Sequence, residues 1–159
     1  MEGMTSRQAF LYLFIFLIMF SANSVLAKPY YSQSYDTHRD PFAALQAARV
    51  QALTRGVPIL IIAGGEWCRW CHIMDRFFKT HADIGKEFYD TFEVLKVYIG
   101  TDNRNEKFFA QYPELKGLPH FFIVNTEGTL LESKATNVLE KGSSYDAEAF
   151  RRFIQEWAR

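Results

Sequence analysis

The apolar positions of the chain change period several times, and each change marks an element. Asp40-Pro41 joins a side chain suited to capping a helix to a proline at the first helical position, where the missing N–H costs nothing, and Gly56 supplies a stop. The span predicts a helix over 40–55 with Phe42, Leu45, Ala48 and Ala52 as its buried stripe. Residues 57–63 form a continuous apolar run, the pattern of a strand buried on both faces of a parallel sheet, and Gly64-Gly65 ends it. From Cys68 the period becomes helical: Trp70, Ile73, Met74, Phe77 and Phe78 mark one face of an amphipathic helix. Asp83 is expected to cap a second helical piece reaching about Tyr89, after which 92–99 alternates as a strand. Residues 105–112 should form a short helix with Phe108, Phe109 and Tyr112 inward. Gly117-Leu118-Pro119 leads into a strand over 120–124, and the turn at 125–128 sends 129–132 back as a hairpin. Phe150, Phe153, Ile154 and Trp157 define a closing helix from about Ser144. The order is α, β, α, β, α, β, β, α, and its early βαβ unit requires a parallel pair of strands with helices on both faces.

Ahead of these elements the pattern differs. Residues 10–20 are an unbroken run of eleven apolar residues, followed by polar Asn23 and Ser24 and then Val25-Leu26-Ala27. That run is shorter than the ~20 residues needed to span a bilayer, and Val25 and Ala27 offer the small residues a signal peptidase accepts. Residues 1–27 therefore read as a secretory signal peptide, with an uncleaved anchor over about 8–27 as the alternative, and membrane contact is expected only through this segment. No cysteine falls within it, which excludes a lipidated cysteine at the cleavage point. The C-terminal residues 156–159 do not spell an endoplasmic-reticulum retention signal, so the periplasm or the exterior is the expected location. Residues 28–39 are polar and tyrosine-rich without period, and are expected to cover the surface as an extended arm.

Composition narrows the function. At 159 residues the chain is about one domain long, here 40–159, and with 48 % apolar residues and 15 Phe it has material for a core without staples. Eighteen basic residues balance eighteen acidic ones, which gives no electrostatic reason to expect nucleic acid as a partner.

The only two cysteines stand three apart in Trp67-Cys68-Arg69-Trp70-Cys71-His72. A thiol attacks as thiolate, and unpaired N–H groups with the dipole at a helix start lower its pKa from ~8.5 toward ~3.5–7.5. Cys68, in the first turn, is placed as the nucleophile. Cys71, one turn on and facing the same side, is placed to resolve a mixed disulfide. A purely structural disulfide closing so small a loop removes little unfolded-state entropy. A zinc site lacks two further ligands at suitable spacing, His38, His81 and His120 included.

With these residues the sequence resembles the thioredoxin superfamily: Glu66-Trp67-Cys68-x-x-Cys71 follows a buried strand, and Gly117-Leu118-Pro119 begins another about fifty residues on. The resemblance covers roughly 57–159 and implies a thioredoxin-like three-layer α/β sandwich with a central mixed sheet of four or five strands. It implies that Pro119 is cis and sits against the cysteine pair, with Leu118 and His120 beside it, shaping the groove that receives substrate. Trp70-Cys71-His72-x-Met74 also resembles a branch of thioredoxin-like proteins with Trp-Cys-His after the first cysteine. The family's buried acid falls here on Ile62, so proton transfer needs another route. Lys96 matches the family's lysine on the neighbouring strand, and Glu66 and His72 are the nearest titratable alternatives. Trp67, Trp70 and Arg69 are the remaining supporting residues, with Arg69 able to bias the Cys68 thiol.

The expected function is therefore thiol:disulfide exchange with protein substrates in the periplasm, without metal or dissociable cofactor, recycled by a membrane redox partner as the resemblance implies. Two alternatives use the same residues. Cys68-x-x-Cys71-His72 also satisfies the attachment motif of c-type haem in an electron-transfer protein, and the fold could serve as a binding module with an idle disulfide.

Overall fold

In the computed structural model, which describes residues 29–158, the elements follow in the order α1 (Tyr30–Gln33), α2 (Pro41–Arg55), β1 (Ile59–Gly64), α3 (Arg69–Thr80), α4 (Ala82–Thr91), β2 (Glu93–Tyr98), α5 (Glu106–Phe109), β3 (His120–Val124), β4 (Leu130–Ala135), a 3-10 turn (Thr136–Leu139), β5 (Glu140–Lys141), β6 (Ser144–Tyr145) and α6 (Ala147–Trp157). The expected signal segment, 1–27, lies outside the described residues. Among the described residues no helix is long and apolar enough to cross a membrane.

β1, buried at every position, pairs parallel with β2 on one side and antiparallel with β3 on the other, and β3 pairs antiparallel with β4. The result is a mixed sheet of four strands in the order β2-β1-β3-β4. Strand alternation sends Ile59, Ile61 and Ala63 to one face and Leu60 and Ile62 to the other. The first face packs on α2 with Leu95, Val97, Phe122 and Val124. The second packs on α3, α4 and α6 through Phe77, Phe78, Phe88, Phe121, Phe150 and Phe153. These are the three layers of a thioredoxin-like fold.

The caps of α2 are as the sequence predicts: the Phe42 N–H donates to the Asp40 carboxylate at 2.9 Å, and Gly56 takes the left-handed φ of 67° that ends the helix. Its buried stripe differs. Ala44, Ala48 and Ala52 face the sheet, while Phe42 is exposed and turns its ring edge to Phe108. Three methyl side chains spaced four apart let the helix lie close on bulky Ile59, Ile61 and Leu95, so the smallest residues of α2 form its inner face.

Other boundaries shift for local reasons. His81, not Asp83, occupies the cap position of α4; Asp83 sits in the first turn and accepts from Arg151 of α6, tying the two helices together. α5 is a single turn with only Phe108 fully buried, and Phe109 and Tyr112 half-buried. The closing helix begins at Ala147 with Asp146 as its cap, because 140–145 form the short β5-β6 hairpin instead.

The largest departure is the N-terminal stretch. In place of an extended surface arm, the described part of 28–39 contains α1 and covers β2, an edge strand of the sheet buried at every position. The Tyr31 hydroxyl donates to buried Glu93 at 2.6 Å, Arg55 pairs with the same carboxylate, and Tyr35 is buried against the second face.

Candidate active site around Cys68 and Cys71

β1 delivers the chain to Gly64-Gly65, and a tight turn follows in which the Cys68 N–H donates to the Gly65 carbonyl at 3.0 Å. Cys68 is the N-cap of α3 in extended backbone geometry, and its sulfur accepts from the Cys71 N–H at 3.2 Å. The Cys71 N–H, shared between that sulfur and the Cys68 carbonyl at 3.1 Å, and the helix dipole favour negative charge on the sulfur once the pair is reduced. Cys68 and Cys71 are joined in a disulfide with Cα atoms 5.3 Å apart. They are 4 % and 3 % exposed, so a partner reaches the sulfurs only through a narrow window at the helix start.

Trp67 borders that window. Its ring is berthed where side chains are missing: a Cβ on Gly65 would come within 2.5 Å of the indole Nε1, and one on Gly100 within 2.6 Å. The Nε1–H donates to the Ile99 carbonyl at 3.1 Å, yet the residue remains 59 % exposed. Arg69 is exposed at the first position of α3, and Trp70 is half-buried with its ring edge to Tyr145. The Glu66 side chain accepts from the Tyr35 N–H at 3.0 Å, and its backbone carbonyl lies 2.6 Å from His72 Nε2. Glu66 and His72 are thus engaged with the chain on either side of the turn.

The Leu118-Pro119 bond is cis, and Leu118 packs on the apolar cluster that contains both cysteines. The buried Thr136 hydroxyl donates to the Pro119 carbonyl at 2.7 Å. The Tyr145 hydroxyl donates to the Trp70 carbonyl at 3.5 Å. Burial pushes the Tyr145 phenol far above its ordinary value, so it stays a neutral donor. Thr136 thus holds the proline loop, and Tyr145 the first turn of the cysteine helix.

Lys96 is 5 % exposed, stands opposite Ile62 in the β1-β2 register, and donates to both carboxylate oxygens of Asp75 at 2.9 and 3.0 Å. Asp75 lies one helical turn after Cys71 on α3, a spacing visible in the sequence. Tyr35, Gly64, Thr136 and Tyr145 carry no such signal, because their partners are distant in the chain.

The chain matches the Thioredoxin-like family model over residues 40–126, more than half its length, and it belongs to that family. Among solved structures it is similar to a disulphide isomerase from Xylella fastidiosa Temecula1, with a TM-score of 0.62 and 22 % identity over 77 % of this chain and 94 % of that one. It is similar also to the C-terminal domain of DsbD from Neisseria meningitidis in both oxidised and reduced forms, each with a TM-score of 0.53 and 18 % identity over 74 % of this chain and 96 % of that one. These likenesses bear on the fold. A comparison with curated proteins finds no match.

Proposed function

We propose that this protein is a thiol:disulfide oxidoreductase that exchanges disulfides with protein or peptide thiols in the bacterial periplasm. The observation that carries the reading is Cys68 standing as the N-cap of α3, its sulfur at the amide end of the helix and bonded to Cys71. In the reduced protein Cys68 attacks a substrate disulfide as thiolate, and Cys71 then attacks Cys68 to restore the pair and release the substrate thiol. Pro119 and Leu118 form the opposite wall of the substrate path, and Trp67 its exposed rim. The apolar N-terminal run supports export, and the names of the structural neighbours, a disulphide isomerase and a DsbD domain, agree with disulfide chemistry. A membrane-embedded electron carrier is the proposed partner that recycles the pair.

Two variants test the reading on the full chain with insulin disulfide reduction as the assay. Cys68→Ser should reduce turnover to the uncatalysed background, while Cys71→Ser should accumulate a covalent mixed disulfide through Cys68, visible by non-reducing mass spectrometry. Unchanged turnover in Cys68→Ser would leave the fold as a binding module with an idle disulfide.

A further inference from the structure

The sulfur of Cys71 has a neighbour that no part of the cysteine motif supplies. A Cβ placed on Gly64 would stand 2.6 Å from Cys71 Sγ and 2.8 Å from both Cζ and the hydroxyl oxygen of Tyr35. Sulfur and hydroxyl therefore crowd the same bare Cα at the end of β1. Tyr35 comes from the stretch before α2 and is almost wholly buried. Its N–H is held by Glu66 at 3.0 Å, its ring lies with the Lys96 ammonium 5.2 Å from its centroid, and Tyr31, four residues earlier, is anchored on Glu93. The ionisable groups facing it come from every element around it: Glu66 from the turn before α3, Asp75 from α3, Lys96 from β2, Tyr89 from α4 and Tyr145 from β6.

The resolving step places a demand on this spot. When Cys68 is bonded to substrate, Cys71 must attack as thiolate from a buried position, and burial disfavours negative sulfur. Ile62 brings no ionisable group to help. A hydroxyl donor beside the sulfur supplies a charge-assisted hydrogen bond at the moment charge develops. Tyr35 is kept in its donor form, since burial first and the surrounding acids second hold its phenol well above the ordinary value.

The geometry points to Tyr35 as the hydrogen-bond donor to the resolving sulfur, which makes the stretch ahead of α2 a working part of the redox site. The inference rests on the disulfide-exchange reading. In the step it assists, a bond forms between Cys71 Sγ and Cys68 Sγ as the bond from Cys68 Sγ to the substrate sulfur breaks. The electron pair of that broken bond leaves on the substrate sulfur, which takes up the proton that Cys71 gave. The cysteine pair is oxidised by two electrons, the substrate disulfide is reduced by two, and Tyr35 keeps its own proton throughout.

Tyr35→Phe removes the hydroxyl and keeps the ring. The reduced full-length protein is mixed in a single turnover with a disulfide-bonded peptide, and acid-quenched samples follow the Cys68 mixed disulfide as it forms and decays. Tyr35→Phe should leave formation within about twofold of wild type and slow decay about tenfold, so that the intermediate accumulates. Decay at the wild-type rate overturns the inference while leaving the exchange reading intact; a wild-type protein that forms no mixed disulfide overturns both. In the Cys68→Ser background, the pH dependence of Cys71 alkylation gives a second measurement. Tyr35→Phe should move the Cys71 thiol pKa upward there, and an unchanged pKa counts against the donor role.

Discussion

The disulfide has two unlike sides. Outward it is rimmed by exposed Trp67 and Arg69, half-buried Leu118 and buried Pro119, and contacts run through backbone carbonyls. Inward it is backed by Tyr35, Gly64 and the Asp75-Lys96 pair, with a buried ammonium. A groove of about 660 Å³ whose lining includes Ser32, Lys79, Lys86 and Tyr89 reaches Asp75 and Lys96 from outside. Water therefore has a path to the inner pair that does not pass through the substrate side. The rim can change shape when a partner docks at little cost, whereas the inner wall holds charge in a place where each partner depends on the other.

That contrast predicts an asymmetry, and it is the largest effect expected. Asp75→Asn leaves the Lys96 ammonium buried without its countercharge and should cost about 2–3 kcal/mol in urea unfolding. The figure falls below the ~3–5 kcal/mol of a fully buried broken pair, because Asp75 is 36 % exposed and the groove admits water. Lys96→Met keeps most of the volume and lets the remaining carboxylate turn to the groove, so its cost should stay within about 1 kcal/mol. Equal costs for the two variants would mean that the inner wall is held by shape and not by charge.

On the rim the expected effect is smaller and of another kind. Thr136→Val is nearly isosteric and leaves the buried Pro119 carbonyl without its donor, which should cost about 1–2 kcal/mol in the same assay. Thr136→Ser should recover most of that loss, since the hydroxyl is what the carbonyl needs. A serine variant as unstable as the valine one would assign the effect to packing of the Thr136 methyl.

The same division explains what could be read before the structure. The outer side is written in short range: a strand, two glycines, Trp67, Cys68 and Cys71 within one turn, and a proline opening the next strand. Periodicity and cap chemistry recover those directly, along with β1, β3, the core of α3 and both caps of α2. The inner side is assembled from Tyr35, Gly64, Asp75 and Lys96, which come from four separate stretches; the family resemblance marks Lys96 and helical spacing from Cys71 marks Asp75, but no shared period joins them to Tyr35. A polar, tyrosine-rich stretch gives no hint that two of its tyrosines are to be buried, one on Glu93 and one beside Cys71. The stripe of α2 keeps the expected Ala48 and Ala52 but takes Ala44 in place of Phe42 for a related reason. Hydrophobicity ranks Phe42 above Ala44, but the space left over the sheet admits only the smaller residue.

The smallest effect should come from His120, which follows Pro119 at the start of β3 and ties the stretch before the cis proline to β4 through its hydrogen bonds. Its Nδ1 accepts from the Lys116 N–H at 3.3 Å, so the proton of the neutral ring sits on Nε2 and is donated to Ser133 Oγ at 2.9 Å. Burial, and secondarily the charge of Lys116, hold the imidazole below its ordinary value of 6.5. A folded value below the unfolded one means that the unfolded chain binds more protons in that window. The stability His120 lends is therefore complete above about pH 6.5 and drains as the pH falls through that value toward the folded one. The urea midpoint of the wild type should decline across this range, and His120→Gln, which retains a donor for Ser133 but does not titrate, should flatten the decline. An identical slope in the variant would trace the acid sensitivity to other groups and leave the Lys116-His120-Ser133 bonds without an electrostatic role.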